Sequence, residues 1–354
     1  MKIITETAAC SPDLSFGEEM RPEELLFFDI ETTGLKKETT QVYLIGCAYY
    51  KEGAWMIRQY LAESALDEQL IMEEFTGFAN GFRTLIHFNG EGFDIPYLAY
   101  KAAYYDLEFS FSSFQSIDIY LLSKPLKKLL GLSSMSQKSI EQFLKIERDD
   151  LYGGGALIPV FYRFERTADE EAERLLLLHN HDDVEGMLQL VKILDYRQIV
   201  EGCFTFSGAG IEEHTAVLEY RLEKPVPVPF ETQLPKDHTL LVADGERLQL
   251  NIALYEGNAR LPLPDVENYY YLPEEDRVIH KDVAAFVDKS HRRRATRKNC
   301  FLKKEGIFLP QHKPLFVPAF EVDGQKRKTF FEITGGFPED HRMLTKYALD
   351  ILNC

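Results

Sequence analysis

Apolar residues in this chain either run together or recur at regular intervals, and the two patterns predict different elements. Leu25-Leu26-Phe27-Phe28-Asp29-Ile30-Glu31 is almost continuously apolar and ends in two acids. That is the pattern of a strand buried on both faces. Residues 41–50 and 54–61 read as two more strands, with Lys51-Glu52-Gly53 as a hairpin turn between them. Thr84-Leu85-Ile86-His87-Phe88 predicts a fourth. Over 64–81, Leu66, Leu70, Ile71, Phe75 and Phe78 fall near a period of about 3.6 residues, which predicts a helix. Another helix is expected from about 95 to 105, and short helical or extended pieces at 116–123 and 137–145. The longest helical pattern covers 167–194, where Thr167 and Glu170 suit a capping box. Antiparallel strands followed by helix, strand and more helices predict an α/β domain with a mixed sheet flanked by helices.

From about Phe206 the pattern changes. Pro225, Pro227 and Pro229 alternate with Val and Phe, and Leu248, Leu250, Ile252 and Leu254 alternate with other residues as in a half-buried strand. Residues 316–321 and 328–333 flank Asp323-Gly324, a hairpin signal, and 341–352 reads as a helix. The expected organisation is a loose leader over 1–22 containing Pro12, Gly17 and Pro22, an α/β domain over 23–200, and a β-richer region over 205–354.

Composition narrows the class. No run approaches the roughly 18 apolar residues of a membrane span, and the first residues do not form a secretory signal. The five cysteines, Cys10, Cys47, Cys203, Cys300 and Cys354, are widely spaced without a CxxC, which argues for reduced thiols and against a structural zinc. A cytoplasmic protein without membrane association is expected. The net charge of −17 argues against a general nucleic-acid coat. Charge is segregated, however: Lys289, Arg292, Arg293, Arg294, Arg297, Lys298, Lys303 and Lys304 fall in one stretch without an acid, and Lys326-Arg327-Lys328 could extend the same face. This run is either a solvated basic helix or a grip on phosphate groups.

Three short segments carry candidate chemistry. On a strand, Asp29 and Glu31 project to the same side. Two acids at a buried strand end repel unless a cation lies between them, and their hard oxygens suit Mg²⁺ or Mn²⁺. Asn89-Gly90-Glu91-Gly92-Phe93-Asp94 also follows an apolar strand, and its glycines allow tight turning. Asp94 there is a ligand or a helix N-cap. In His179-Asn180-His181-Asp182-Asp183-Val184, His179 and Asp183 stand at i and i+4 on one helix face, either as part of a site or as a surface ion pair. His181 and Asp182 read as structural or solvated.

In this order the segments resemble the DEDD superfamily of 3′-5′ exonucleases, whose motifs are Asp-x-Glu, Asn-x-x-x-(Phe/Tyr)-Asp and Tyr-x-x-x-Asp or His-x-x-x-x-Asp. More closely, His-Asn-x-x-Asp-Val at 179–184 and the stretch Ile140-Glu141-Gln142-Phe143-Leu144-Lys145-Ile146-Glu147-Arg148-Asp149-Asp150-Leu151 resemble the YprB-type ribonuclease H-like domain family. The resemblance covers roughly residues 23–195 and implies a ribonuclease H-like fold. It further implies that Asp29, Glu31, Asp94 and Asp183 hold two divalent cations, Mg²⁺ or Mn²⁺, for two-metal hydrolysis of a phosphodiester. His179 would take the proton of the attacking water. Asn89 would contact the terminal nucleotide or orient Asp94, and Phe93 would pack beside the site. Asp118 reads as a supporting acid or as a helix start. Arg292, Arg293 and Arg294 are the candidate phosphate contacts. One departure matters: a histidine four residues before Asp183 has the spacing of the tyrosine branch. The expected partner is nucleic acid, DNA or RNA, with a single strand or 3′ end favoured. Cleavage at internal bonds, and non-catalytic binding on the same fold, remain open.

Overall fold

The computed structural model describes residues 1–14, 20–148, 154–234, 238–325 and 327–353. Gly17, Asp149, Asp150, Leu151, Lys326 and Cys354, all used in reading the sequence, lie outside them. The chain divides into two compact units, Met1–Arg197 and Gln198–Cys354.

The first unit is a six-stranded mixed sheet with helices. Its strands are β1 (Lys2–Thr7), β2 (Leu25–Thr32), β3 (Val42–Lys51), β4 (Ala54–Leu61), β5 (Thr84–His87) and β6 (Gln115–Asp118), in the order β1-β4-β3-β2-β5-β6. The first four pair antiparallel, and β5 and β6 join parallel to β2. The helices are α1 (Glu68–Ala79), α2 (Asp94–Tyr104), α3 (Ile119–Ser123), α4 (Leu126–Leu129), α5 (Gln137–Leu144), α6 (Gly154–Thr167) and α7 (Glu170–Leu190).

The continuous apolar run makes β2 the centre of this unit. Leu25, Leu26, Phe27 and Phe28 are each no more than 1% exposed. Each such side chain contributes roughly 1.5–3 kcal/mol by leaving water. Phe28 packs on Phe75 of α1, ring centroids 5.8 Å apart, while its neighbour Asp29 reaches Asn180 of α7. One face of β2 is therefore core, and the other carries the acids. The β3–β4 hairpin turns through Glu52 at φ 52° and Gly53 at φ 90°, two positive values that match the right-handed strand twist.

Several elements differ from the pattern-based expectation. Lys2–Thr7, within the expected loose leader, pairs with β4 from Lys2↔Leu61 to Thr7↔Met56. Its polar residues gave no strand signal, and pairing with β4 supplies one. Helix α6 encloses Pro159, which obscured its period. Thr167 does not cap α7. Its hydroxyl donates back to Arg163 O, Ala168 breaks the chain at φ 47°, and Asp169 caps by accepting from Ala172 N at 2.9 Å. Leu66 is 92% exposed, on a 3₁₀ turn before α1.

The second unit is rich in β structure. Strands β7 (Phe204–Glu212), β8 (Thr215–Leu222), β9 (Phe230–Gln233), β10 (Leu240–Asp244) and β11 (Arg247–Ala253) form an antiparallel sheet in the order β7-β8-β11-β10-β9. The alternation read over 248–252 is real: Leu248, Leu250 and Ile252 are fully buried, with Gln249 and Asn251 half-exposed between them. Strands β12 (Tyr255–Pro262), β13 (Tyr269–Leu272), β14 (Arg277–His280), β15 (Arg293–Arg294), β16 (Phe301–Gln311) and β17 (Thr329–Glu332) build two three-stranded sheets, β12-β16-β17 and β14-β13-β15. The hairpin expected across Asp323-Gly324 is reduced to one bridge, Phe320↔Phe330, and β17 pairs with β16 instead. Pro318 removes a ladder donor from the 316–321 segment. The helix His341–Leu352 follows.

The basic run is not one helix. Lys289–His291 is a 3₁₀ turn, Arg293 and Arg294 form β15, and Lys303 and Lys304 lie on β16, paired to Asp276 and Glu332. Arg292 and Arg294 both lie over the ring of Tyr270, each guanidinium 4.9 Å from its centroid. Among the described residues, Arg292 and Arg293 form no salt bridge.

Candidate metal centre

Strand alternation turns Asp29 and Glu31 of β2 toward α7, as the sequence implies. Glu31 is 7% exposed, and its carboxylate meets His179 Nε2 at 3.1 Å and accepts from the Tyr43 hydroxyl at 3.4 Å. The i, i+4 spacing on α7 brings His179 Nε2 within 3.3 Å of Asp183 Oδ2. This is no surface pair, because His179 is 3% exposed. Asp94 opens α2, whose N-cap is Phe93, and its Oδ1 accepts from Ile30 N, the amide between the two β2 acids, at 3.3 Å. Two strand residues, one helix start and one helix face thus bring five predicted groups together.

The electrostatics follow from that convergence. Burial raises the Asp29 carboxyl well above its usual range, and the negative charges of Asp183, Asp94 and Glu31 raise it further. Burial likewise pushes Asp94 up to about 7, against the lowering effect of the backbone hydrogen bonds it accepts. Glu31 is raised by burial, with His179 opposing. Acids that raise one another in this way are relieved by positive charge. Oxygens of Glu31 and Asp183 and a nitrogen of His179 lie within 4.8 Å of one another. The hard carboxylate oxygens, with four acids converging on the opposing Arg148 and His179, form a donor set that fits a divalent cation.

Some residues hold this arrangement although the sequence reading gave them no role. Asn180 is fully buried; its Nδ2 donates to Asp29 Oδ2 at 3.2 Å, and its Oδ1 accepts from Gln59 Nε2 at 3.0 Å. The signal was available: Leu176, Asn180, Val184 and Met187 form one buried stripe of α7, and a lone amide in it needs partners. Gly46, paired with Asp29 across β2–β3, admits that amide, since a Cβ there would lie 2.1 Å from Asn180 Oδ1 and 2.8 Å from Val184 Cγ2. Gly46→Ala should therefore cost about 1–3 kcal/mol, read as a lower denaturant midpoint at unchanged m-value. An unchanged midpoint would show that α7 and β3 can separate without loss. Arg148, Glu141 and Gln137 also enter the site. Arg148 Nη2 donates to Asp183 Oδ1 at 2.6 Å across 35 residues of sequence, a separation no local pattern reveals.

The other candidates are placed differently. Asn89 is exposed at φ 61°, and its main-chain N–H donates to Asp118 Oδ1 at 3.0 Å. Asp118 caps α3 through Leu121 N at 3.2 Å and also accepts from Glu91 N. It fastens the 89–91 turn. Phe93 is half-buried against Tyr97, ring centroids 5.5 Å apart. His181 meets Glu6 of β1 at 3.3 Å. Arg292, Arg293 and Arg294 belong to the second unit. Among the described residues, no helix is long and apolar enough to cross a membrane.

Residues 26–195 match the RNase H superfamily model RNase_H_2. No curated protein is detectably similar to the chain. Similar solved structures include the family B DNA polymerase of the hyperthermophilic archaeon Pyrobaculum calidifontis, at 13% identity and a TM-score of 0.40 over 74% of this chain and 40% of that one. Another is the zinc-bound complex of E. coli exonuclease I with single-stranded DNA, at 10% identity and a TM-score of 0.30 over 79% of this chain and 64% of that one. The chain thus spans 40% to 64% of the length of these structures, and the family match rather than these likenesses carries the assignment. That match and the sheet order agree on a ribonuclease H-like fold for residues 26–195.

Proposed function

We propose that this chain is a metal-dependent nuclease of the DEDD type, a 3′-5′ exonuclease that hydrolyses phosphodiester bonds of nucleic acid. The observation that carries this reading is the convergence of four carboxylates and one histidine from three separate segments, with too much negative charge to stand alone. Asp29, Glu31, Asp94 and Asp183 would hold two Mg²⁺ or Mn²⁺ ions. Bound there, such ions would supply Lewis acidity to a water and neutralise charge on the scissile phosphate and the leaving 3′ oxygen.

The chain's own groups do the rest. His179 turns Nε2 toward Glu31 and Asp183, where it would take the proton of the attacking water. Asn180 fixes the orientation of Asp29, and the Tyr43 hydroxyl that of Glu31. The favoured substrate is a single strand or a 3′ end, of DNA or RNA.

The test is digestion of 5′-labelled single-stranded DNA and its RNA counterpart, with Mn²⁺, Mg²⁺ or EDTA. A ladder shortening from the 3′ end and lost in EDTA is expected. Discrete internal fragments would replace the exonuclease reading with an endonuclease one, and no cleavage with any ion would overturn both.

The basic residues of the second unit are proposed to bind phosphates. Replacing Arg292, Arg293 and Arg294 together by Gln should weaken nucleic-acid binding. The slope of log affinity against log salt should fall by about 0.7 for each single-strand phosphate that is no longer neutralised. A slope equal to that of the unaltered chain would remove these residues from the interface.

A further inference from the structure

Among the described residues, Asp183 is the one acid of the cluster already paired with a permanent cation. Arg148 Nη2 donates to its Oδ1 at 2.6 Å, while Oδ2 faces His179 Nε2 at 3.3 Å. A guanidinium does not lose its proton in proteins, so this charge cannot be removed by pH. The arginine is built into position. Its Nη1 donates to both oxygens of Glu141, at 3.1 and 2.9 Å. Glu141 is 1% exposed and takes a further hydrogen bond from Gln137 Nε2 at 2.9 Å. Gln137 Nε2 also donates to the main-chain oxygen of Asp183 at 2.8 Å, tying α5 to α7 at this point. Gly186 makes the room, since a Cβ there would lie 2.4 Å from Glu141 Oε1. Two helices are thus shaped to hold one guanidinium against one carboxylate.

We infer that Arg148 is a tethered cation that competes with a metal ion for Asp183, so that the two ions of the site load unequally. This rests on the nuclease reading above. An ion held by Asp29, Glu31 and Asp94 does not have to displace Arg148. An ion that needs Asp183 meets a positive charge already on Oδ1. It binds fully only as Nη2 leaves that oxygen, while Glu141 keeps hold of Nη1. A phosphate oxygen of bound nucleic acid has the charge and geometry to accept from the released guanidinium. Substrate and the weaker ion would therefore load together, and the ion-free or substrate-free site would stay incompletely charged. Arg148 is here a positioning residue, acting through Asp183.

The experiment is calorimetric titration of the full chain with Mn²⁺ alone, without nucleic acid and independent of turnover. The unaltered protein should show one tight and one weak site. In Arg148→Gln the weak site should tighten roughly tenfold or more, because a like charge at close range is gone, while the tight site changes little. If Arg148→Gln leaves Glu141 unpaired and fails to fold, the double replacement Arg148→Gln with Glu141→Gln removes both charges and keeps an amide pair. The same tightening is expected there. Two equally tight sites in the unaltered chain, or a weak site unmoved or weakened in a folded variant, overturn the inference and leave the nuclease reading intact. No Mn²⁺ binding at all would sink both.

Discussion

Asp29→Asn should abolish metal-dependent cleavage and, in EDTA, make the protein more stable. The two effects come from the same charge. Asp29 sits among Asp183, Asp94 and Glu31, and its carboxyl is held well above the usual range by burial and by those neighbours. An ion-loaded site needs that charge, whereas an ion-free site suffers from it. Loss of one ligand should lower turnover by at least about a hundredfold, the size that several kcal/mol of lost charge stabilisation gives. In EDTA at neutral pH the amide should gain stability on the order of 1 kcal/mol, since it relieves repulsion and can still accept from Asn180. Turnover with Mn²⁺ and denaturation midpoints in EDTA check the two halves. Turnover equal to that of the unaltered protein would remove Asp29 from the site. A midpoint lowered in EDTA would mean that the carboxylate serves the fold rather than an ion.

The ion-free protein should also lose stability as pH rises from about 4 to about 7. An aspartate in an unfolded chain titrates near 3.9, and burial pushes Asp94 up to about 7 in the folded state. Between these values the folded state binds more protons than the unfolded one, so stability falls with pH. Each group that titrates this way contributes up to about 1.4 kcal/mol per pH unit. Asp29 and Glu31 are raised in the same direction and steepen the trend. The check is melting temperature against pH in EDTA, repeated with saturating Mg²⁺ or Mn²⁺ and with Asp94→Asn. Saturating ion should restore stability at neutral pH, and Asp94→Asn should flatten the curve in EDTA. A melting temperature that rises through this interval in EDTA would show that the carboxylates are stabilised within the fold and need no ion.

How far the site could be read in advance depended on the distance between its partners. β2 was legible because apolar residues fill both faces, and Asp29 and Glu31 interrupt them at a spacing of two. His179 and Asp183 were legible because four residues on a helix restore the same face. The ordered segments therefore pointed to the acids before any three-dimensional structure. The supports of the acids were hidden for the opposite reason. Asn180 reaches Asp29 across 151 residues and Arg148 reaches Asp183 across 35, so neither pairing leaves a periodic trace. Helix α6 was missed because Pro159 breaks its pattern, although Phe161 stacks on Tyr43 at 4.4 Å within the core. In the second unit the strongest alternation, 248–252, gave a true strand. Asp323-Gly324 did not give a full hairpin, because turn residues specify a reversal and not the pairing that follows it.

The strand found at Lys2–Thr7 bears on self-association rather than on chemistry. Without it, β4 would end the sheet and offer its unpaired amides and carbonyls to any other chain, a template for intermolecular pairing. β1 takes up that row from within the same molecule. Its own outer margin is short and carries Lys2, Thr5 and Glu6, residues that discourage a further strand from adding. Six polar-leaning residues that look dispensable in the sequence thus guard the aggregation-prone border of the domain that carries the acids.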